Sequence, residues 1–270
     1  MKRLFRLFEA FLRRDFLIRW SYKVGFLYEL GSLLSGLITL YFVGRMMSGH
    51  TPPAVRLYHT DYFTFSLIGV AFVDYMFVSM RTFASNIRIA QVIGTLEAML
   101  MTPADPVEIV FFSATYPYIT TLIRSVLVLL LGLAFGARFG AVNIMSTVVF
   151  VLLTLMVFTG MGLLSAAITM YIKQSEPVSS LFAGLSFLLG GILYPVQSLP
   201  HWVQTISWTL PMTHAVEGLR RSLLFGDTLS KQGYHLLFLG AWAIVLFPLG
   251  LYSIRIVVNH LAREGSFGEY

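Results

Sequence analysis

The chain has 270 residues, 57% of them hydrophobic and only 12% charged, with a formal net charge of +6 and a mean hydropathy of +0.76. Soluble domains carry roughly 25% charged residues, so the composition excludes a water-soluble globule and points to an all-α polytopic membrane protein, a single transmembrane domain over residues 1–270. There is no cysteine, which removes disulfide and thiolate chemistry. The pI near 9.6 fits basic residues at membrane edges facing anionic lipid and gives no reason to expect a nucleic-acid partner.

The first stretch, MKRLFRLFEAFLRRD, never develops the uninterrupted apolar core of a cleavable signal. On a helical wheel Leu4, Phe5, Leu7, Phe8, Phe11 and Leu12 share one arc, and Lys2, Arg3, Arg6, Glu9, Arg13 and Arg14 the other. Such a basic amphipathic helix lies flat among headgroups. Residues 1–22 are therefore expected to form an interfacial elbow, with the flat helix ending or turning near Asp15 or Arg19, which intrude on the apolar arc.

A span needs about 20 apolar residues, and six stretches qualify: Val24–Gly44, Tyr62–Met80, Ser113–Phe135, Ile144–Ile172, Val178–Val196 and Leu236–Val258. KQSEP makes a tight hairpin between the fourth and fifth, with Pro177 opening the next helix. Lys2, Arg3, Arg6, Arg13, Arg14, Arg19 and Lys23 crowd the amino-terminal segment. If that end is inside, Arg81, Arg88, Lys173, Arg255 and Arg263 join it, against Arg45, Arg56, Arg138, Arg220, Arg221 and Lys231 outside. This bias places both termini, and the loop 81–112, in the cytoplasm.

That loop contains SNIRIAQVIGTLEAMLMTP, residues 85–103, which reads as a short helix capped by Ser85 or Asn86 and stopped by Pro103. Ile89, Ile93, Leu96 and Leu100 form its apolar face, and Arg88, Gln91 and Thr95 a polar one. Glu97 stands apart, beside Ala90 and Gly94. Such a helix can rest on lipid or dock into a partner's cleft.

GTLEAMLMTP resembles the Gly-Thr-Leu-Glu…Thr-Pro segment of the type-2 ABC exporter permeases, the family of O-antigen, teichoic-acid, Nod-factor and daunorubicin-resistance exporters. GGILYPVQSLPHWVQTISWTLPMTHAVEGLRRSLLFG, residues 190–226, is similar to the family's segment between its last two spans, and RRDFLIRW fits before the first. The resemblance implies a half-channel of six spans in a prokaryotic plasma membrane. Two copies would pair with two separate ATP-binding cassette subunits that hold the ATP and Mg, so this chain itself would bind no cofactor. It implies a coupling helix carrying Gly94, Thr95, Leu96, Glu97, Thr102 and Pro103. It also implies short re-entrant outer helices over residues 197–221 and, there and just before them, gate residues Tyr194, Pro195, Leu199, Pro200, Trp202, Pro211 and His214. The cargo implied is an amphiphile: a glycolipid, a lipid-linked glycan, a lipo-oligosaccharide or a hydrophobic drug.

The residues themselves bear on one point independently. A P-loop needs Gly-x-x-x-x-Gly-Lys-Ser/Thr, and none of Lys2, Lys23, Lys173 and Lys231 follows a glycine. The chain is therefore expected to be a non-catalytic subunit. Glu29, Asp74 and Arg124 lie within spans, where charges face protein, water or one another; a buried Asp74–Arg124 pair or a headgroup contact is the favoured reading, with Glu29 near enough to the cytoplasmic end to reach the interface, and the other reading, a substrate or proton path, would make the chain an ion-coupled secondary transporter. His214 and Glu217, three apart, could share a helix face with His201 nearby and serve a metal or a lipid-processing enzyme. Without a second converging pair, no metal is expected. Trp202, Trp208 and Tyr194 suit a membrane–water interface.

Overall fold

A computed structural model describes residues 2–21, 23–49, 52–95, 105–172 and 177–264. The elements among them are helices: α1 (Lys2–Ser21), α2 (Lys23–Met46), α3 (Pro53–Arg56), α4 (Tyr62–Ile93), α5 (Pro106–Phe112), α6 (Thr115–Ala134), α7 (Ile144–Ile172), α8 (Pro177–Leu189), α9 (His201–Ser207), α10 (Pro211–Leu224) and α11 (Gly233–Glu264), with a single 3-10 turn at Val196–Ser198. Among the described residues, five stretches are long and apolar enough to cross a membrane: Leu27–Met46, Tyr62–Ile93, Pro106–Ala134, Ile144–Ile172 and Gly233–His260. The protein is an all-helical, multi-pass membrane protein.

The amino-terminal helix does not turn near Asp15. α1 runs unbroken to Ser21 because Arg14 Nε pairs with the Asp15 carboxylate at 2.7 Å and Arg19 reaches across to Glu29 of α2. Both intruding charges find partners without bending the chain.

The second stretch extends well past its expected end. α4 continues through Ser85 and Asn86 to Ile93, so neither residue caps a new helix. Ser85 Oγ instead donates to the Thr82 carbonyl at 3.1 Å, and Asn86 Nδ2 to the Ser113 carbonyl at 3.1 Å. No Gly or Pro interrupts residues 81–93, and Phe83, Ala84, Ile87 and Gln91 keep one face buried throughout. Gln91 therefore points inward while Ile89, Val92 and Ile93 are exposed, the reverse of the expected wheel. The helix ends at Gly94, whose φ of 76° lets its N–H close on the Ala90 and Gln91 carbonyls, a left-handed cap that favours glycine.

α7 matches its expected limits, Ile144–Ile172. It stands at the centre of the bundle, against α4 on one side and α11 on the other. Lipid-embedded helices associate through close backbone approach at small residues, and α7 supplies these in Gly160-x-Gly162. A Cβ on Gly160 would run into the backbone of Leu246 and Phe247, one on Gly162 into the Ser79 carbonyl of α4, and one on Gly250 back into Gly160. Phe83, Leu163, Ala166, Met170, Ile254 and Val258 continue this seam. α11 keeps its helix through Pro248.

The stretch expected to span from Val178 to Val196 is divided. α8 is helical for 13 residues only, short of the span length. Gly190–Pro195 then leaves the helix, with Gly191 at φ 71°. Consecutive glycines carry the highest backbone entropy cost and the least steric restriction, which is why the helix stops there.

The chain ends collect at two poles. At one, the start of α4 meets the region after α6, where the Arg138 N–H donates to Thr64 Oγ1 at 3.1 Å, and Ala141 bridges Phe225. At the other, Arg3 of α1 pairs with Glu108 of α5 at 3.2 Å, and Arg255 of α11 with Asp105 at 3.1 Å.

Substituting Gly160 by Leu is expected to force α7 and α11 apart and to cost about 1–3 kcal/mol or more through overpacking. Gly36→Ala, where a Cβ meets nothing, should be neutral or stabilising by up to about 1 kcal/mol. Thermal unfolding of the detergent-solubilised chain compares them, and equal midpoints would remove the seam from this account.

Candidate functional site

α10 is the most enclosed element. All but one of its residues are buried, including Thr213, His214, Glu217 and Arg220. Pro211 begins it, where the missing N–H costs nothing. A buried helix with so many polar side chains is stable only if each finds a partner, and each does.

Arg220 is 2% exposed. Its Nη1 and Nη2 donate to the Gly191 and Ile192 carbonyls, each at 2.6 Å, and its Nε to the Phe65 carbonyl at 3.2 Å. The guanidinium lies 3.5 Å over the Phe65 ring. The irregular backbone after α8 thus receives from one side chain the hydrogen bonds it gave up by leaving the helix. Burial draws the Arg220 pKa down to about 10, with Tyr58, Glu217 and Tyr62 acting the other way, so the group stays charged near neutrality. Gly69 of α4 leaves room for the contact, since a Cβ there would meet the Ile192 carbonyl and Arg220 itself.

One turn before Arg220, the Glu217 carboxylate accepts from Tyr58 Oη at 2.7 Å and from Arg221 Nε at 3.0 Å. Burial, then the Glu217 charge, pushes the Tyr58 phenol well above its ordinary range, so Tyr58 remains a donor. Arg221 extends the chain of charges to Asp227 at 3.9 Å, and Lys231 approaches Asp227 at 3.8 Å.

His214 takes a different direction. Its Nε2 lies 2.9 Å from the Trp208 carbonyl and its Nδ1 3.0 Å from Nδ1 of His235. A carbonyl only accepts, so Nε2 of His214 carries hydrogen. In the neutral pair His235 then donates to His214. His214 and Glu217 therefore serve separate partners and do not converge as metal ligands, and His201 is exposed on α9. Among the described residues no three His, Asp or Glu side chains gather at one point.

The other expected gate residues precede this helix along the chain. Tyr194 donates to the Leu188 carbonyl, Pro195 and Leu199 flank the 3-10 turn, and Pro200 starts α9. Trp202 is 71% exposed. Of the expected coupling residues, Gly94 caps α4, and Thr95 Oγ1 donates weakly to the Ala90 carbonyl at 3.4 Å. Leu96, Glu97, Thr102 and Pro103 lie outside the described residues. Asp105 follows them, capping α5 through the Val107 N–H at 2.8 Å while its other oxygen takes Arg255.

Of the intramembrane charges, Glu29 binds Arg19. Asp74 Oδ2 lies 3.0 Å from Arg124 Nε, and the two side chains are 32% and 43% exposed. They do pair, but at the protomer surface and not in its interior. The residues that sequence reasoning passed over are Arg220, Tyr58 and His235. Arg220 had only the standing of an outer positive charge, and its place directly before a second Arg in a polar helix gave no sign of burial.

Arg220→Met is expected to leave the Gly191 and Ile192 carbonyls unbonded and to destabilise by about 3–5 kcal/mol. Arg220→Lys keeps the charge without the planar fork and should recover only part, as read from apparent unfolding midpoints in detergent.

Burial holds the His214 imidazole below its ordinary pKa, against the Trp208 carbonyl bond and the Glu217 charge. The unfolded chain then binds the proton more readily than the folded one, so stability falls as pH drops through about 6.5. Unfolding midpoints measured between about pH 7.5 and 5.5 should decline, and less steeply in His214→Asn.

The ABC-2 type transporter family matches residues 6–224. A transport permease ycf38 of Porphyra purpurea is 30% identical over 131 residues, 47% of this chain and 44% of that protein. The like-named protein of Pyropia yezoensis is 28% identical over 180 residues, 63% of this chain and 61% of its own length. The chain thus aligns with about half of each relative.

Proposed function

The chain belongs to the ABC-2 type transporter family, and from that premise we propose that it is the transmembrane permease subunit of an ATP-driven exporter of an amphiphile. The observation that carries this reading is the family match across residues 6–224, which takes in every crossing but the last. The description of both relatives as transport permeases agrees with it.

In this reading α8 and the irregular Gly190–Pro195 together make the fifth of six crossings, and the 3-10 turn, α9 and α10 fold back into the outer side of the membrane. Non-helical backbone at such depth is tolerated where protein satisfies it, and the Arg220 bonds do so. The pole carrying α1 faces the cytoplasm of a prokaryotic cell, with both termini there, in keeping with the Arg residues on α1 and the end of α4. Two copies form the path, and two ATPase subunits bind the ATP and Mg. The segment after Gly94 docks into the ATPase. Its thrust reaches α11 through Asp105–Arg255 and α1 through Glu108–Arg3, shifting the helices as rigid bodies.

Co-expression with a P-loop ATPase, followed by native mass measurement, should give a two-plus-two complex. A lone chain that transports at full rate would end the proposal. Glu97→Arg should insert normally yet weaken docking by about 2–5 kcal/mol and abolish substrate-stimulated ATP hydrolysis. Wild-type transport by that variant would leave the segment a mere connector.

A further inference from the structure

α4 and α6 carry an ion pair to the outside of the protomer at mid-depth. Asp74 is about 18 Å along α4 from Tyr62, and Arg124 about 14 Å along α6 from Thr115. Arg124 Nε, 3.0 Å from Asp74 Oδ2, makes no hydrogen bond there, and 43% of the side chain is exposed. Hydrocarbon is a costly surrounding for such groups, which normally face water or protein.

The pair is not isolated. Seven residues make two helical turns within about 20°, and α4 places Asp74, Arg81 and Arg88 at this interval, all on its partly exposed side. Arg81 lies 5.8 Å over the Phe77 ring, which neighbours Phe187 of α8 at 6.1 Å. Neither Arg81 nor Arg88 has a carboxylate within ion-pair distance among the described residues. The result is a strip about 21 Å long, bounded by α6 and α8, with three cations and one acid, rising from one pole to mid-membrane.

We propose that this strip binds the anionic headgroup, phosphate or carboxylate, of an amphiphile. Arg88 and Arg81 receive it near the membrane edge, and Arg124 is its mid-depth contact. Asp74 holds Arg124 until the headgroup displaces it, and Phe77 with Phe187 offers apolar surface to the adjoining chain. The direction of movement along the strip rests on the transporter reading; the binding does not, and it is measured without an ATPase. Failure of binding would leave that reading intact, and failure to assemble with an ATPase would leave the strip intact.

The test uses the full chain in uncharged detergent, a fluorescent lysophosphatidate, and a monoacylglycerol carrying the same tail and label. Lysophosphatidate should bind at least tenfold more tightly than the uncharged probe, with affinity falling as salt rises. Arg124→Gln should lose at least tenfold for lysophosphatidate alone, and Arg124→Lys should restore most of it. Asp74→Asn should tighten binding several-fold by freeing Arg124, whereas a purely structural pair predicts no gain. Should Arg124→Gln fold poorly on size exclusion, Arg81→Gln and Arg88→Gln take its place, each expected to lose about threefold. Equal binding of the two probes, or wild-type affinity in all the arginine variants, overturns the proposal. A phospholipid that survives purification and is displaced by lysophosphatidate would identify a resident lipid as the occupant; a site that purifies empty and fills with the probe would point to cargo. Both support an anion site.

Discussion

A lipid-embedded chain cannot leave backbone carbonyls unbonded, and at Gly190–Pro195 this one leaves its helix. The Arg220 guanidinium resolves the conflict by bonding the Gly191 and Ile192 carbonyls at 2.6 Å each. A flat fork with several donors does what a lysine could not. The remaining arrangement follows from bringing that fork into place. α10 must be buried, Phe65 must lie beneath the guanidinium, and α4 must offer a glycine at position 69. Glu217, one turn away, then needs Tyr58 and Arg221 to occupy its oxygens.

Apolar packing sets the frame in which this happens. In lipid there is little hydrophobic gain from pressing two apolar helices together, so contact depends on small residues and close approach. α7 supplies them on two sides, through Gly160 towards α11 and Gly162 towards α4. The three longest helices become one body, and the polar cluster hangs from one pole of it. At the other pole exposed ion pairs tie α1, α5 and α11 together. Each such pair is worth only about 0–1 kcal/mol, so this pole can shift at far lower cost than the one held by Arg220. A stiff pole and a compliant pole joined by rigid helices would suit the transporter mechanism proposed above, worked from the compliant end.

Much of the fold was legible in local pattern, and for a local reason. A helix closes its own hydrogen bonds within four residues, so an apolar run such as Ile144–Ile172 declares itself. Gly190-Gly191 is a break of the same local kind, yet it lies inside what the apolar pattern reads as one span, Val178–Val196. Local pattern misled where polarity was taken for an ending. Arg81 and Arg88 suggested that α4 stops at Met80, but Phe83, Ile87 and Gln91 are buried against distant helices and carry it to Ile93. Thirteen further residues of helix came from packing that no window of sequence contains.

That the chain is helical, lives in a membrane, contains no P-loop motif and resembles one transporter family can be read along the chain, because composition, periodicity and motif spacing are properties of neighbouring residues. Which polar groups meet is fixed only when distant helices pack. Arg220 finds carbonyls 28 and 29 residues before it and a third 155 away; Tyr58 finds Glu217 across 159. Such pairings depend on where whole helices come to rest. A charge that looked like a surface marker became the bolt through the interior, and Asp74 with Arg124, for which a buried pair was one of the readings open, lies partly exposed on the protomer's flank.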